Sequence, residues 1–483
     1  MAPTPPLPEP LWTTASPELQ AAVLSLVQSY EERIALFENR LGDLENRLKL
    51  NSTNSSRPPS SDPIGMKRKP PVPPSGKKRG GQHGRRRASR ALVPPEKVRD
   101  TFDCKPTSCR RCGHWLSGDD PEPLIHQVAE LPKIEPIVDE YRLHRLACPA
   151  CGKTTCGALP AGVPAVCFGP YLQAVLAMLA GAYRLSKRQI RQMAADLFTL
   201  SISTGMISKL ERRSAAALEA PYNELATAVH RAGATNIDET SWRENLRKVW
   251  LWVTAARLFT VFTVAKNRSG EIAKALLGSE DDQVVGSDRF SAYDWIMARW
   301  RQICWAHLRR DFQAMIDRGG DGETIGRRLL SLSNRLFHHW RRARDGTLEW
   351  SPFQEQMNRL RGEVKQALLE GSKGPCARTA ATCFEILKVE EGLWTFARVK
   401  GVEPTNNAAE RALRHAVIWR RISGGTDGAN GSRFVERMLT VVATCRQQGR
   451  NVLDYLSTCF EADCRGQSLP SLLPVAAAET EAA

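Results

Sequence analysis

Residues Ala234 to Val264 read ATNIDETSWRENLRKVWLWVTAARLFTVFTV, and three β-rich runs are packed into them. Ala234 to Asp238 is a short apolar strand ending in an acid. Lys248 to Ala256 and Leu258 to Val264 are dense in Val, Trp, Phe and Thr, with at most a two-residue joint between them. Such β-branched and aromatic residues suit a pleated, half-buried surface. A helix is expected over Ser269 to Leu277. Gln283 to Ser287 is then a fourth strand, and it too ends in an acid, Asp288; after a further helix, Arg301 to Trp305 is a fifth.

Three strands in a meander, a helix, a strand, a helix and a strand is the order of a ribonuclease H-like fold. Both aspartates fall at carboxyl ends of strands, where open α/β sheets place their chemistry. A third carboxylate would complete a site for two Mg2+ (or Mn2+) ions, which in phosphoryl transfer activate the attacking oxygen and stabilise the leaving one. Glu410 is the candidate. It lies in Thr405 to Ala412 (TNNAAERA), a helix start that Thr405 or Asn406 can cap, and Arg411 and Arg414 follow it, suited to DNA phosphates. A lone acid is most often a surface charge; two at matching strand ends with a third on a later helix are harder to dismiss. The acids Glu239, Asp294 and Glu403 stand near these three in sequence and compete for the roles.

Outward from this core the chain changes character. With 483 residues it is too long for a single core, and 68 Lys+Arg against 52 Asp+Glu give a net charge of +16, which points to a polyanionic partner. The start, Met1 to Pro10, has no basic segment before an apolar one, and the most apolar window, Tyr171 to Tyr183, is too short to span a bilayer, so a cytosolic protein without a membrane role is expected. Val27, Ile34, Leu41 and Leu48 fall seven apart, with Val23, Tyr30, Phe37 and Leu44 as a second seam. That heptad pattern favours self-association through a coiled coil over a helix docked on its own protein. Asn51 to Pro63 is polar, low-complexity chain with no structure expected. A basic run follows: Lys67, Arg68, Lys69, Lys77, Lys78, Arg79, Arg85, Arg86, Arg87 and Arg90. No acid interrupts it from Gly65 to Pro95, and its glycines and prolines forbid a helix, so it reads as a disordered arm for DNA phosphates or, more blandly, as a solvated linker.

Thirteen cysteines without a secretory signal read as metal ligands or buried thiols, not as a disulfide frame. Cys109-x2-Cys112-Gly113 and Cys148-x2-Cys151-Gly152 are two knuckles in which thiolates on a tight turn share an ion. Together they offer the four sulfurs of a closed Zn2+ site, although the segment between them is longer than a usual ribbon. Cys104 and Cys156 are nearby but lack the knuckle spacing, and buried free thiols are the alternative. A strand is expected over Ile134 to Leu146. Ser186 caps a helix through Ile190, Ala194 and Leu197, and a break at Thr199 to Ser201 leads to a second helix from Ser203 through Ile207 and Leu210. The pair reads as a helix-turn-helix or as a plain packing unit.

In order, the chain resembles the insertion-sequence-66 family of DDE transposases. Leu48 to Asp62 (LKLNSTNSSRPPSSD) is similar to that family's NSSNSSKPPSSD signature and Lys78 to Gly84 (KRGGQHG) to its KRGGQPGH stretch. The cysteine knuckles, Ile237 to Thr240, Ser287-Asp288, Cys304 to Arg310 (CWAHLRR) and Asn406 to Leu413 follow in sequence. Two stretches depart from the pattern: Arg420 to Gly425, which is less apolar, and the chain after Leu456. The resemblance implies Asp238, Asp288 and Glu410 as the catalytic triad, with a helical insertion over about residues 311–400. It implies double-stranded DNA (terminal inverted repeats and target) as partner, a homo-oligomer, and small accessory proteins encoded by the same element. His307 recurs in that motif, positioning DNA or a metal ligand, or serving as a core histidine. The organisation expected is a multidomain α+β chain: an N-terminal helix over 1–50, a basic linker over 51–100, a zinc-ribbon-like module over 101–160, a helix-turn-helix-like segment over 165–220, a catalytic domain over 230–450 and a tail over 451–483. Two functional classes remain open on sequence: an active transposase of a bacterial insertion sequence, nucleoid-associated in the cytoplasm, and a catalytically inactive relic or DNA-binding regulator.

Overall fold

A computed structural model describes residues 8–48, 50–55, 62, 91–278 and 283–474. The basic run from Lys67 to Arg90 lies outside the described residues. In chain order the elements are α1 (Glu9–Thr14), α2 (Pro17–Leu48), β1 (Arg145–Ala147), β2 (Thr154–Cys156), α3 (Pro170–Gly181), α4 (Lys187–Phe198), α5 (Thr204–Ala217), α6 (Glu219–Val229), β3 (Ala234–Glu244), β4 (Arg247–Ala255), β5 (Thr260–Ala265), α7 (Gly270–Leu277), β6 (Val284–Ser287), β7 (Arg301–Ile303), α8 (Trp305–Asp317), α9 (Gly320–Arg344), α10 (Trp350–Ser372), α11 (Ala377–Lys388), α12 (Thr395–Arg398), α13 (Asn407–Ser423), α14 (Ala429–Gln447) and α15 (Val452–Arg465). The chain is mixed α+β.

The main sheet has the order β5-β4-β3-β6-β7. β3, β4 and β5 form an antiparallel meander, while β6 and β7 join it in parallel. β4, an inner strand, is buried along most of its length, as its run of Val, Leu and Trp requires. One face packs Trp242, Val249, Leu251, Val253 and Phe262 under Ala409, Leu413 and Ala416 of α13 and Val435 and Leu439 of α14. The other packs Ile237, Trp252 and Val285 under Ala273 and Leu277 of α7, with Tyr293 and Ile296. Burying one such aromatic or aliphatic side chain is worth roughly 1.5–3 kcal/mol, so this double cover fixes the register of the sheet.

Several boundaries differ from the sequence reading. β3 does not stop at Asp238: it runs on to Glu244, because its hairpin with β4 continues to the Glu244↔Arg247 pair. No α-helix joins β6 to β7; two short 3-10 turns, Ser291–Tyr293 and Ala298–Trp300, do so. The expected strand over Ile134 to Leu146 reduces to β1, since the chain before it finds no partner and stays open, with Ile137 95% exposed. Asn51 to Asn54, read as structureless, form a hydrogen-bonded turn. Ser52 donates through N and Oγ to Asp62 (2.8 and 2.6 Å), and Asn54 Nδ2 donates to Asp317 of α8 at 2.7 Å. The stretch after residue 451 carries α15, which buries Tyr455, Leu456, Cys459 and Phe460 in one core with α3 to α6 and α14. The segment over 165–220 is thus packed onto the sheet rather than set apart. Within it Ser186 caps α4 with a complete capping box to Gln189, and Ser203 caps α5.

The insertion has its own core, in which Phe312, Leu329, Leu336, Phe353, Met357 and Leu368 meet Trp305 and Trp394. It leaves and rejoins the sheet at β7. Trp305 Nε1 donates to the Leu393 carbonyl (2.8 Å), Thr395 Oγ1 to the Arg301 carbonyl (2.8 Å), and the Trp305 amide to the Pro404 carbonyl (2.9 Å). The excursion therefore ends beside its starting point, at an entropic cost that grows only by about 0.6 kcal/mol per doubling of loop length.

Candidate active site

Asp238 points to the sheet face covered by α13, because it lies opposite Val253 in the β3–β4 ladder and Val253 packs in that core. On the other side β3 pairs with β6, ending at Asn236↔Gly286. Asp238 and Asp288 each lie two residues beyond that last pair, and the Asp288 charge is felt at the Asp238 carboxyl. Gly286 leaves room for the Asn236 side chain, whose Oδ1 would have to turn aside for a Cβ there. Glu410 sits in the first turn of α13. Asn406, at the N-cap of that helix, makes no capping bond with its side chain; instead its Nδ2 donates to the carbonyl of Ile237 at 2.8 Å, and its amide donates to Cys304 Sγ at 3.1 Å. One buried residue thus joins, through its side chain and its backbone N–H, the strand of Asp238, the helix of Glu410 and the end of β7.

The charges of the three acids reach one another. Burial first, then the negative charges of Glu239, Asp288 and Glu410, push the Asp238 carboxyl well above the usual carboxylate range. The Glu239 amide donates to Asp238 Oδ1 at 2.9 Å and opposes that rise only partly. Asp288 Oδ1 accepts from the Phe290 amide at 2.9 Å, an Asx turn. The loop after β6 is anchored by Arg301, which is 3% exposed. Its guanidinium donates to Ser287 Oγ (3.1 Å), Asp294 (2.9 Å) and the carbonyl of Asp288 (2.9 Å). Glu410 Oε1 lies 3.3 Å from Arg310 and 3.5 Å from His307 Nδ1. An ion pair this exposed is worth under about 1 kcal/mol, so it does not lock the Glu410 side chain.

The competing acids are otherwise engaged. Glu239 is held by Arg268 and Tyr293 on the far side of the strand; burial raises its carboxyl and those two partners oppose the rise. Asp294 pairs with Arg301, and Glu403 is exposed. Burial and then the Arg310 charge hold His307 below the ordinary imidazole value, while burial pushes the Cys304 thiol up to about 11. Arg411 and Arg414 are exposed on α13.

Two aspartates and a glutamate, the last 3.3 Å from Arg310, offer the oxygen donors that hard divalent cations take. The cysteine knuckles fit less completely. Each is well formed: the Gly113 amide donates to the Cys109 carbonyl (2.9 Å) and the Gly152 amide to that of Cys148 (2.8 Å), with both glycines in the left-handed region (φ 75 and 71). Backbone amides of Arg111 and Cys112 draw the Cys109 thiol below its ordinary value, and those of Cys151 and Ala150 do the same for Cys148. No three of the four sulfurs lie within 4.8 Å of one another. Among the described residues, the group of three metal-ligating side chains with atoms within 4.8 Å of one another is Cys304, His307 and Glu410, and none of Cys109, Cys112, Cys148 and Cys151 belongs to it.

Sequence reading missed Arg301 and the clamp role of Asn406. An arginine opening a strand carries no visible signal of burial, and Asn406 reads locally as a helix cap.

Residues 165–433, which contain all three acids, match the transposase IS66 family. The chain belongs to that family. Residues 7–91 match a family of unknown function. An uncharacterized protein of Sinorhizobium fredii, y4hP, is 24% identical over 381 residues, which cover 71% of this chain and 68% of that protein. Family membership makes the chain a transposase in general terms, with DNA as the substrate class. No helix among its described residues is long and apolar enough to cross a membrane.

Proposed function

We propose that this IS66-family transposase cleaves and joins DNA strands at the ends of its element, using Asp238, Asp288 and Glu410 on a ribonuclease H-like core. The observation that carries the reading is geometric: the buried bond from Asn406 to the Ile237 carbonyl ties the start of the Glu410 helix to the strand of Asp238, beside the loop that Arg301 anchors at Asp288. Burial, then the charges of Glu239, Asp288 and Glu410, raise the Asp238 carboxyl. Those three residues would hold Mg2+ or Mn2+, which supplies activation of the attacking oxygen and charge stabilisation of the leaving one. The chain itself does the rest. Asn406 and Arg301 fix the two strand ends and the helix relative to each other. Arg411 and Arg414, exposed beside Glu410, face phosphates. Arg188, Arg191, Lys209 and Arg212, exposed on α4 and α5, give the helix pair a basic surface fitted to a duplex.

The arm from Lys67 to Arg90 supplies sequence-independent affinity, and α2 pairs two copies through its apolar seam, where Tyr30, Ile34, Phe37 and Leu41 are exposed. The two knuckles close on one Zn2+ as a structural site. The decisive experiment is a strand-nicking assay on terminal inverted repeats with Mg2+. Wild type nicks and Asp238→Ala does not, while both bind the ends alike. Equal nicking by Asp238→Ala would sink the assignment, and an inert wild type that still binds the ends would favour a DNA-binding regulator.

A further inference from the structure

The CWAH turn that follows β7 places a second kind of donor set against the carboxylates. Cys304 Sγ, a ring nitrogen of His307 and a carboxylate oxygen of Glu410 all lie within 4.8 Å of one another. The spacing is built by two elements. Cys304 is the N-cap of α8 and His307 stands in its first turn, while Glu410 comes from the first turn of α13. Two buried polar atoms at this junction make no hydrogen bond: His307 Nδ1, and Oδ1 of Asn406, whose own amide donates to the Cys304 sulfur at 3.1 Å. A buried polar atom without a partner costs about 1–3 kcal/mol, and two of them at a cluster of ligating side chains need a reason.

We propose that Cys304, His307 and Glu410 form a binding site for a borderline divalent cation, Zn2+ by preference, distinct from the cysteine knuckles and sharing Glu410 with the hard-metal site of Asp238 and Asp288. The donor types decide the ion. A thiolate and an imidazole select zinc-like cations, whereas Mg2+ takes oxygens in an octahedron. The distances suit it: bond lengths of about 2.0–2.3 Å put the ligand atoms of a tetrahedral zinc roughly 3.5 Å apart, so about 1 Å of closure is required, supplied by the half-buried His307 and Glu410 side chains toward the fixed, fully buried Cys304. Binding is proton-balanced. The Cys304 thiol gives its proton to solvent as the sulfur–metal bond forms, and His307 binds through Nδ1 while Nε2 carries the ring proton. Arg310, now 3.3 Å from both His307 Nε2 and Glu410 Oε1, is displaced from both. Three protein ligands leave a fourth position for a solvent molecule or for Asn406 Oδ1. Such an ion would pin the Glu410 helix to the end of β7 without involving either aspartate.

The test uses the full chain with Cys109→Ser, Cys112→Ser, Cys148→Ser and Cys151→Ser, so that the knuckles are silent. It is stripped with chelator and titrated with Co2+, following the sulfur-to-cobalt absorption and the visible tetrahedral bands. One equivalent per chain is expected. Addition of Cys304→Ser should abolish the sulfur band, and His307→Gln should weaken Co2+ binding by about tenfold or more. Asp288→Ala should leave the titration unchanged although it removes cleavage, which separates this site from the catalytic reading. Should Cys304→Ser fail to fold, His307→Gln carries the test alone, since its ring is at the edge of the core. Absence of the band in the knuckle-silent chain, or a band indifferent to His307→Gln, overturns the site.

Discussion

The carboxylates Asp238, Asp288 and Glu410 and the thiols Cys109, Cys112, Cys148 and Cys151 are both ligand sets drawn from distant parts of the chain. The fold treats them differently. Asp238 and Glu410 stand on a strand and a helix packed into one core, Asp288 follows directly on β6, and the Asn406 side chain ties that strand to that helix. Each thiol pair stands on a turn that is well made locally, but the turns are carried by chain that is exposed on all sides, from Leu124 at 97% to Leu146 at 72%. Local hydrogen bonds shape a knuckle; only a packed frame, or the ion itself, brings two knuckles to one point. In the first region the elements that carry the acids are packed without any ion, whereas in the second, on the proposed reading, the metal would have to draw the knuckles together.

That contrast can be broken most sharply at the carboxylates. Asp288→Ala and Glu410→Gln should each lower strand cleavage on the order of 10⁴-fold while leaving the melting temperature and end binding near wild type, as a nicking assay beside a thermal melt would establish. If either variant unfolds, the acids belong to the frame and the contrast fails. Next in size is Asn406→Ala. Removing its amide leaves the Ile237 carbonyl without that donor and loosens the hold of α13 on β3, at a cost of about 1–3 kcal/mol in denaturant unfolding, together with a fall in cleavage. A variant that loses neither would show that packing of Ala409 and Leu413 alone sets the helix.

A smaller effect tests the repulsion directly. The Asp238 carboxyl binds its proton more tightly folded than unfolded, so wild type gains stability as pH falls and loses it as pH rises above the ordinary carboxylate value near ~4. In chelator, Asp238→Asn should therefore be more stable than wild type at neutral pH, by roughly 1 kcal/mol or more, and the two should converge below that value. Melts across the pH range that run parallel would contradict the raised carboxyl. Smallest of all should be the effect of Cys109→Ser with Cys112→Ser on the core. Zinc content by elemental analysis should drop, while the main unfolding transition moves by under about 0.5 kcal/mol. A large shift there would mean that the knuckles pack on the sheet after all.

How much of this was legible depended on whether the signal was local. The strands around Ala234 to Val264 announce themselves through β-branched and aromatic residues, and the acids at Asp238 and Asp288 follow from counting along them. The continuation of β3 to Glu244 was hidden, because Ser241, Arg243 and Glu244 are polar and only the partner strand makes them a ladder. Between β6 and β7 the expected helix gives way to two short 3-10 turns. Burial of Tyr293 and Ile296 against Trp252 and α7 replaces helical hydrogen bonds there. Arg301, Asn406 and the docking of Asn54 on Asp317 depend on partners at separations no pattern can register.

The bond from Asn406 to Ile237 joins residues 169 positions apart. On a ribosome that separation is time. A chain that stops early carries the arm, the knuckles and both aspartates, yet it has no Glu410 and no Asn406 to bond β3 at Ile237. On the proposed chemistry, an interrupted product can sit on DNA without cutting it. Cleavage competence appears only after the insertion has folded and the last helices have docked. A long contact order, usually counted against a fold for its slowness, here keeps a potentially damaging activity out of every unfinished copy.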